Sequence, residues 1–221
     1  MRKLEQFLEE KPLLFMACFA AVYWVWFTLL EKYADPIVTI YTRLDDMIPF
    51  CRYFIIPYDL WFLYIGVSFL WMILFDRKNL INMERYMFSG MITALVIYTF
   101  IPNGLDIRPS SLGDDFFSQL IAKLYASDTA TNVCPSLHVF NSIAANTIIW
   151  KSDTFRHRKA VRAGSLTLII LIILATMMIK QHSIIDVVCG ILMAAVLYPL
   201  SYKPVFIGET DSRWHIRNNK I

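Results

Sequence analysis

Cys-x-x-Cys pairs are missing from this sequence. Its four cysteines are widely spaced, which argues against zinc-ribbon and thioredoxin chemistry. Cys18 and Cys189 fall in apolar runs and read as small buried residues, while spacing alone leaves a Cys51–Cys134 disulfide open. Histidine is equally scarce, with four in the chain. Only two of them, His138 and His182, come to one face, and no acidic cluster joins them. That is too few ligands for a zinc or two-metal site, so no metal or other cofactor is expected. No repeat, low-complexity tract or second domain interrupts residues 1–221, which read as one domain. The net charge of +3 says little by itself; where the charges sit says more. No nucleic-acid partner is expected.

What is abundant is apolar surface. Hydrophobic residues make up 57% of the chain and the mean hydropathy is +0.49, whereas soluble chains are nearer about 45–50% apolar. After Arg2, Lys3 and Lys11 comes an apolar run from Pro12 to Leu30, close to the ~20 residues a spanning helix needs. Ala17-Cys18 faintly resembles a lipoprotein cleavage site, but Phe19 to Leu30 stays strongly apolar, which predicts a retained first span. Ile37 to Ile48 carries Arg43, Asp45 and Asp46 and an apolar face at helical spacing, predicting an amphipathic helix in the membrane interface. Further spans are expected from about Ile56 to Phe75, Tyr86 to Ile101, Ser136 to Trp150, Ala163 to Ile179 and Ile184 to Leu200, with Pro199 helping to end the last. The polar stretch from Asn103 to Cys134 holds a short surface helix around Phe116 to Tyr125, with Asp114 and Asp115 suited to its first turn. Asn141, Ser142, Asn146 and Thr147 make the fourth span too polar to face lipid all round, so it belongs inside the bundle. The expected fold is therefore all-α and integral to the membrane: six transmembrane helices, an interfacial amphipathic helix and a short extracytoplasmic loop helix.

Basic residues orient the bundle. With both termini cytoplasmic, only Lys32, Arg43, Arg52, Arg108, Lys123 and Lys180 of the 21 Lys and Arg fall outside, as the positive-inside rule favours. Three ionisable stretches then converge on the outer face. Arg108-Pro109 sits in a tight turn. Cys134-Pro135-Ser136-Leu137-His138 opens a helix whose unpaired N–H groups attract anions. Lys180-Gln181-His182-Ser183-Ile184-Ile185-Asp186 joins the last two spans, with His182 and Asp186 one helical turn apart. Ionisable groups so near hydrocarbon usually mark a site. An anion-binding Arg, a helix N-terminus and two histidines, one beside an orienting carboxylate, suit phosphoryl transfer through a phosphohistidine. His182 would be the nucleophile, Asp186 would hold its other ring N–H, and His138 would protonate the departing alkoxide.

Arg108-Pro109, Pro135-Ser136-Leu137-His138 and His182-x-x-x-Asp186, in this order across six spans, resemble the three-part signature of the type 2 phosphatidic acid phosphatase superfamily. The resemblance covers nearly the whole chain. It implies His182, Asp186 and His138 as catalytic residues. It also implies phosphate binding by Arg108, Ser136 and backbone N–H groups, without a metal ion, and a lipid phosphate or diphosphate substrate at the extracytoplasmic face of the cell membrane. Three positions depart from the family pattern: Ile101 stands where a Lys is usual, Thr176 where an Arg is usual, and Leu137 where a Gly is usual. Lys180, four residues after Thr176, is expected to supply part of the missing charge. The Pro-Ser-Leu-His form is similar to the branch that includes inositol-phosphoryl and related headgroup transferases. The expectation is a metal-independent lipid phosphatase. The alternatives are a headgroup phosphotransferase and a non-catalytic lipid-phosphate binder or transporter.

Overall fold

The computed structural model describes residues 2–202, and four of the basic residues expected at the inner face (Lys203, Arg213, Arg217 and Lys220) lie outside them. In chain order the elements are α1 (Arg2–Glu10), α2 (Pro12–Tyr33), β1 (Val38–Thr39), α3 (Arg43–Met47), α4 (Ile55–Phe75), α5 (Arg77–Phe100), β2 (Asn103–Gly104), α6 (Phe116–Ser127), α7 (Leu137–Lys151), α8 (Lys159–Met178) and α9 (Ile184–Ser201). Long apolar runs settle as helices because each helix satisfies its own backbone groups, which hydrocarbon cannot. Among the described residues, four helices are long and apolar enough to cross a membrane: α2, α8, α9, and α4 together with the 3-10 turn that opens it. Their outward faces carry exposed large apolar side chains such as Trp24, Phe62, Leu70, Leu171 and Val196, as lipid contact requires.

Helix α7 is the axis. It packs against α4, α5, α8 and α9, and Asn141 and Ser142 on it are buried. Asn146 on it finds partners inside the bundle: Ser165 Oγ donates to Asn146 Oδ1 at 2.8 Å and also pairs with the Tyr64 hydroxyl at 2.8 Å. Two glycines permit the close approaches. A Cβ on Gly90 of α5 would lie 2.0 Å from the Phe140 ring, and one on Gly190 of α9 would lie 2.8 Å from the Ser136 carbonyl oxygen. Helix α2 stands apart and lies along α5, through Leu30 against Ala94, Leu95 and Tyr98 and a Phe19–Phe88 stack at 3.8 Å.

The structure corrects several expected boundaries. Helix α5 begins at Arg77, not at Tyr86, because Asp76 caps it by accepting from the Asn79 N–H. Its polar first turns are covered by α1, a helix the hydropathy pattern does not announce. Arg77 donates to the Glu9 and Glu10 carbonyls at 3.0 and 3.1 Å, and Leu8 packs on Ile81. The segment Ile37 to Ile48 is not one amphipathic helix. Its first half is β1, parallel to β2, and only Arg43–Met47 is helical. The apolar periodicity there was offset by β-branched Ile37, Val38, Thr39 and Ile40, which suit an extended strand. Pro199 lies within the last turn of α9, which runs on to Ser201.

Gly90→Ala should lower stability by about 1–3 kcal/mol, the usual cost of overpacking a core. Phe140→Leu in the same chain should recover part of that loss. Thermal unfolding of the detergent-solubilised single and double variants checks this; strictly additive losses would mean the two positions do not compete for space.

Candidate functional site

The turn between α8 and α9 carries the site. Helix α8 ends in a Schellman motif: Lys180 N–H donates to the Met177 carbonyl at 3.0 Å and Gln181 N–H to the Thr176 carbonyl at 2.9 Å, which also accepts from His182 N–H at 3.0 Å. The left-handed position of that motif, usually glycine, is Lys180, with φ of 57°. Its side chain shows what holds it there. Lys180 Nζ donates to the Asp45 carbonyl at 2.7 Å and the Ile48 carbonyl at 2.6 Å.

This corrects the expectation that Lys180 serves the phosphate. It is not one turn beyond Thr176 on a shared face, because α8 stops at Met178 and the reversed backbone turns the side chain towards α3.

Asp45, in α3, closes the other side of the turn. Its carboxylate is 1% exposed. It accepts from Ser183 Oγ at 2.7 Å, from Ile184 N–H at 2.9 Å and from Thr42 N–H at 2.8 Å. Helix α9 then starts with a capping box of Ser183 and Asp186, in which each side chain satisfies an orphan N–H of the first turn. Asp186 Oδ2 takes the Ser183 N–H at 2.8 Å and faces His182 Nδ1 at 3.3 Å. One carboxylate therefore both caps the helix and orients the imidazole. With Nδ1 turned to Asp186, Nε2 is the ring nitrogen left for a ligand.

The start of α7 is fastened to the same place. Ser136 N–H donates to the Asp186 carbonyl at 3.1 Å, and Ser136 Oγ caps α7 by accepting from Val139 N–H. Asn103, just beyond α5, clasps the incoming strand of chain: its Oδ1 accepts from Val133 and Cys134 N–H at 2.9 and 2.8 Å. The rings of His138 and His182 are 5.7 Å apart. Tyr58 and Trp61 stand 4.6 and 4.4 Å from the His138 ring on its other sides.

Both histidines line a pocket of about 370 Å³ between α2, α4, α5, α7 and the loop after α6. One part is apolar, with Tyr23, Phe27, Trp61, Phe62, Met91 and Leu137; the other holds Asp128, Asn132, Asn141, Gln181, His138 and His182. Such a cavity fits an amphiphile, with chains in the first part and a polar head in the second. Several head-side atoms are buried without a partner among the described residues: His138 Nε2, Asn141 Oδ1, and both Oδ1 and Nδ2 of Asn132. Unsatisfied buried polar groups are costly, and here they converge where a ligand would satisfy them.

The remaining expected residues sit behind the wall. Arg108 donates to the Asp128 carbonyl at 2.8 Å and to the Gln181 Oε1, and its guanidinium lies 4.1 Å from the Tyr125 ring. Gln181 Nε2 in turn donates to Asp128 Oδ2 at 3.1 Å, as does the Tyr58 hydroxyl at 3.0 Å. Burial lowers the Arg108 guanidinium from its ordinary value. Burial also raises the Asp128 carboxyl, with His182, the Tyr58 hydrogen bond and Arg108 pulling the other way. Thus His182, Asp186, His138, Ser136 and Arg108 gather at one end of the bundle, whereas Lys180 is committed elsewhere. Asp128, Asn132, Asn141, Gln181 and Asp45 are the residues sequence reasoning did not assign. Asn141 was marked only as a polar residue in an apolar run and Asp45 only as a charged break, Gln181 adjoins His182, and long-range packing alone brings Asp128 and Asn132 to the site.

All four cysteines are free thiols, so Cys51 and Cys134 are not joined. Burial first, and Asp186 nearby, raise the Cys134 thiol above its usual range. It is not poised as a thiolate nucleophile.

Lys180→Met should destabilise the protein more than Lys180→Gly does, by about 1 kcal/mol. Both lose the ammonium contacts, but only glycine relieves the left-handed backbone. Thermal midpoints measured side by side test this; a methionine variant as stable as wild type would remove the proposed tether. No protein-family model, curated protein or solved structure matches this chain.

Proposed function

We propose that this protein is an integral membrane enzyme that hydrolyses a lipid phosphate or diphosphate ester through a phosphohistidine on His182. The observation that carries the reading is the pairing of His182 with Asp186, with His138 across the same amphipathic pocket. In this reading α2, α4, α5, α7, α8 and α9 are six spans with both termini cytoplasmic, and the pocket opens at the extracytoplasmic face. Asp186 holds the Nδ1–H, so Nε2 presents its lone pair to phosphorus. As the N–P bond forms and the P–O bond to the lipid breaks, protonated His138 gives its proton to the departing alkoxide. His138 then takes a proton from water, the water oxygen bonds to phosphorus, and the N–P bond breaks to release phosphate. Asn132 Nδ2, buried without a partner among the described residues, would donate to a phosphoryl oxygen, and Ser136 shapes the start of α7 beside it. Arg108 acts from behind Gln181, reaching the phosphate if Gln181 yields its hydrogen bond. The resemblance of the three motifs to the type 2 phosphatidic acid phosphatases supports the same assignment.

One observation favours a second reading, a headgroup phosphotransferase. The pocket's head side carries the acid Asp128 and neutral amides, while Lys180 is bound to carbonyls and Arg108 is already engaged. A singly charged phosphodiester suits those surroundings better than a dianionic monoester, because like charges repel strongly where water is excluded. In that case an acceptor alcohol replaces water in the second step.

Purified protein supplied with phosphatidate and water alone should release inorganic phosphate, unaffected by EDTA. His182→Ala should abolish release. His138→Ala should slow it by about 10²- to 10⁴-fold, least for substrates with a good leaving group. Release only when an alcohol is added would select the transferase, and loss of activity in EDTA restored by Mg²⁺ would overturn the metal-free mechanism. For orientation, a membrane-impermeant thiol reagent should label a Cys introduced at Ser111 in intact cells and not one at Asp153. The reverse pattern would place the pocket on the cytoplasmic side.

A further inference from the structure

A second and larger cavity lies at the opposite end of the bundle, bounded by α1, the starts of α2 and α5, and the end of α9. Its volume is about 650 Å³. Phe7, Phe15, Phe19, Val22, Phe88 and Ile92 make its apolar walls. Against them stand two adjacent residues of opposite charge, Glu84 and Arg85. Glu84 is 0% exposed, yet neither of its carboxyl oxygens has a hydrogen-bond partner among the described residues. Arg85 Nη2 is held by Glu9 Oε1, while its Nε and Nη1 are buried and have no partner among the described residues. The other polar groups at the cavity, Ser89 and Ser201, already pair with one another at 2.8 Å.

A buried carboxyl without a partner costs several kcal/mol, so Glu84 at this place calls for a ligand. Successive residues on a helix point about 100° apart and do not face each other. Glu84 and Arg85 therefore cannot neutralise one another, but they can grip the two ends of one zwitterion. The carboxylate oxygens require N–H donors, which a quaternary ammonium lacks and a primary amine has. The guanidinium nitrogens require anionic oxygens, which a phosphodiester supplies. The aromatic walls require hydrocarbon chains.

We propose that this cavity binds an aminophospholipid of the phosphatidylethanolamine class, with its amine on Glu84, its phosphate on Arg85 and its chains between α2 and α5. This site is independent of the His182 pocket and does not rest on its assigned chemistry.

Short-chain phosphatidylethanolamine and phosphatidylglycerol with identical tails serve as probes, titrated into the delipidated full-length protein and followed by native mass spectrometry. The wild type should bind the ethanolamine lipid at least about tenfold more tightly, one charge-assisted amine contact being the difference. Glu84→Gln keeps the shape and should bring the two affinities to within about twofold, since only the amine loses its partner. Arg85→Gln should weaken both lipids about tenfold. Cys18→Trp, which fills the cavity without touching either charge, should weaken both as well, and stands in if loss of the Arg85–Glu9 contact impairs folding. His182→Ala should leave the preference intact. Equal affinities in the wild type, an unchanged preference in Glu84→Gln, or a preference lost in His182→Ala would each overturn the proposal. So would a chain ending at Tyr202 that binds both lipids equally and more tightly, which would assign the cavity to the protein's own C-terminal segment.

Discussion

The contact on which the site depends is the Asp45 carboxylate against the start of α9. A buried anion is tolerated only when its lone pairs are filled, and here a hydroxyl and two backbone N–H groups fill them. The same residue's carbonyl receives the Lys180 ammonium. Two buried charges on distant parts of the chain are thus satisfied in one knot, and the knot holds the turn in which His182 stands. Helix α9 cannot shift relative to α3 without exposing both. The second tie, Ser136 N–H on the Asp186 carbonyl, carries the constraint across to α7 and so sets His138 relative to His182.

From this follows the electrical character of the pocket lined by His138 and His182. Lys180 is used for structure, and Arg108 braces the loop carrying Asp128 through carbonyl contacts. The surface left for a ligand consists of imidazoles, amides and one acid whose charge burial disfavours. Neutral donors in a partly dry pocket would hold the proposed phosphoryl group by direction more than by charge. They are also strengthened by the low dielectric that makes their unpaired state costly. In the enzyme proposed above, recognition of the lipid would fall largely to the apolar half of the cavity.

Much of this was legible in the sequence because long apolar runs and charged breaks have few alternatives. The cores of α2, α4, α8 and α9 follow from hydropathy alone, as does burial of the polar helix α7. His182 and Asp186 were readable as a pair four residues apart, although His182 precedes the Ser183 N-cap and the capping box is what brings Asp186 to it. The misplaced boundaries share a cause. Arg77 to Arg85 look like the polar residues of a loop, yet they are helical because the Asp76 cap starts the helix and Arg77 ties its first turn to α1. Lys180 looked like a residue one turn past Thr176, but helix spacing does not extend through a left-handed residue. The roles of Asp45 and Asp128 carried no signal, since they arise from partners that are distant in the chain.

The central claim is that His182 accepts the phosphoryl group. The direct measurement is to mix the protein with phosphatidate, quench in alkali within the first turnover, digest, and read the peptides by mass spectrometry. The account predicts a phosphoryl adduct on the peptide containing His182, absent in His182→Ala and slow to form in His138→Ala. Full turnover with no adduct on His182 at any quench time, or an adduct on another residue in its place, would contradict it.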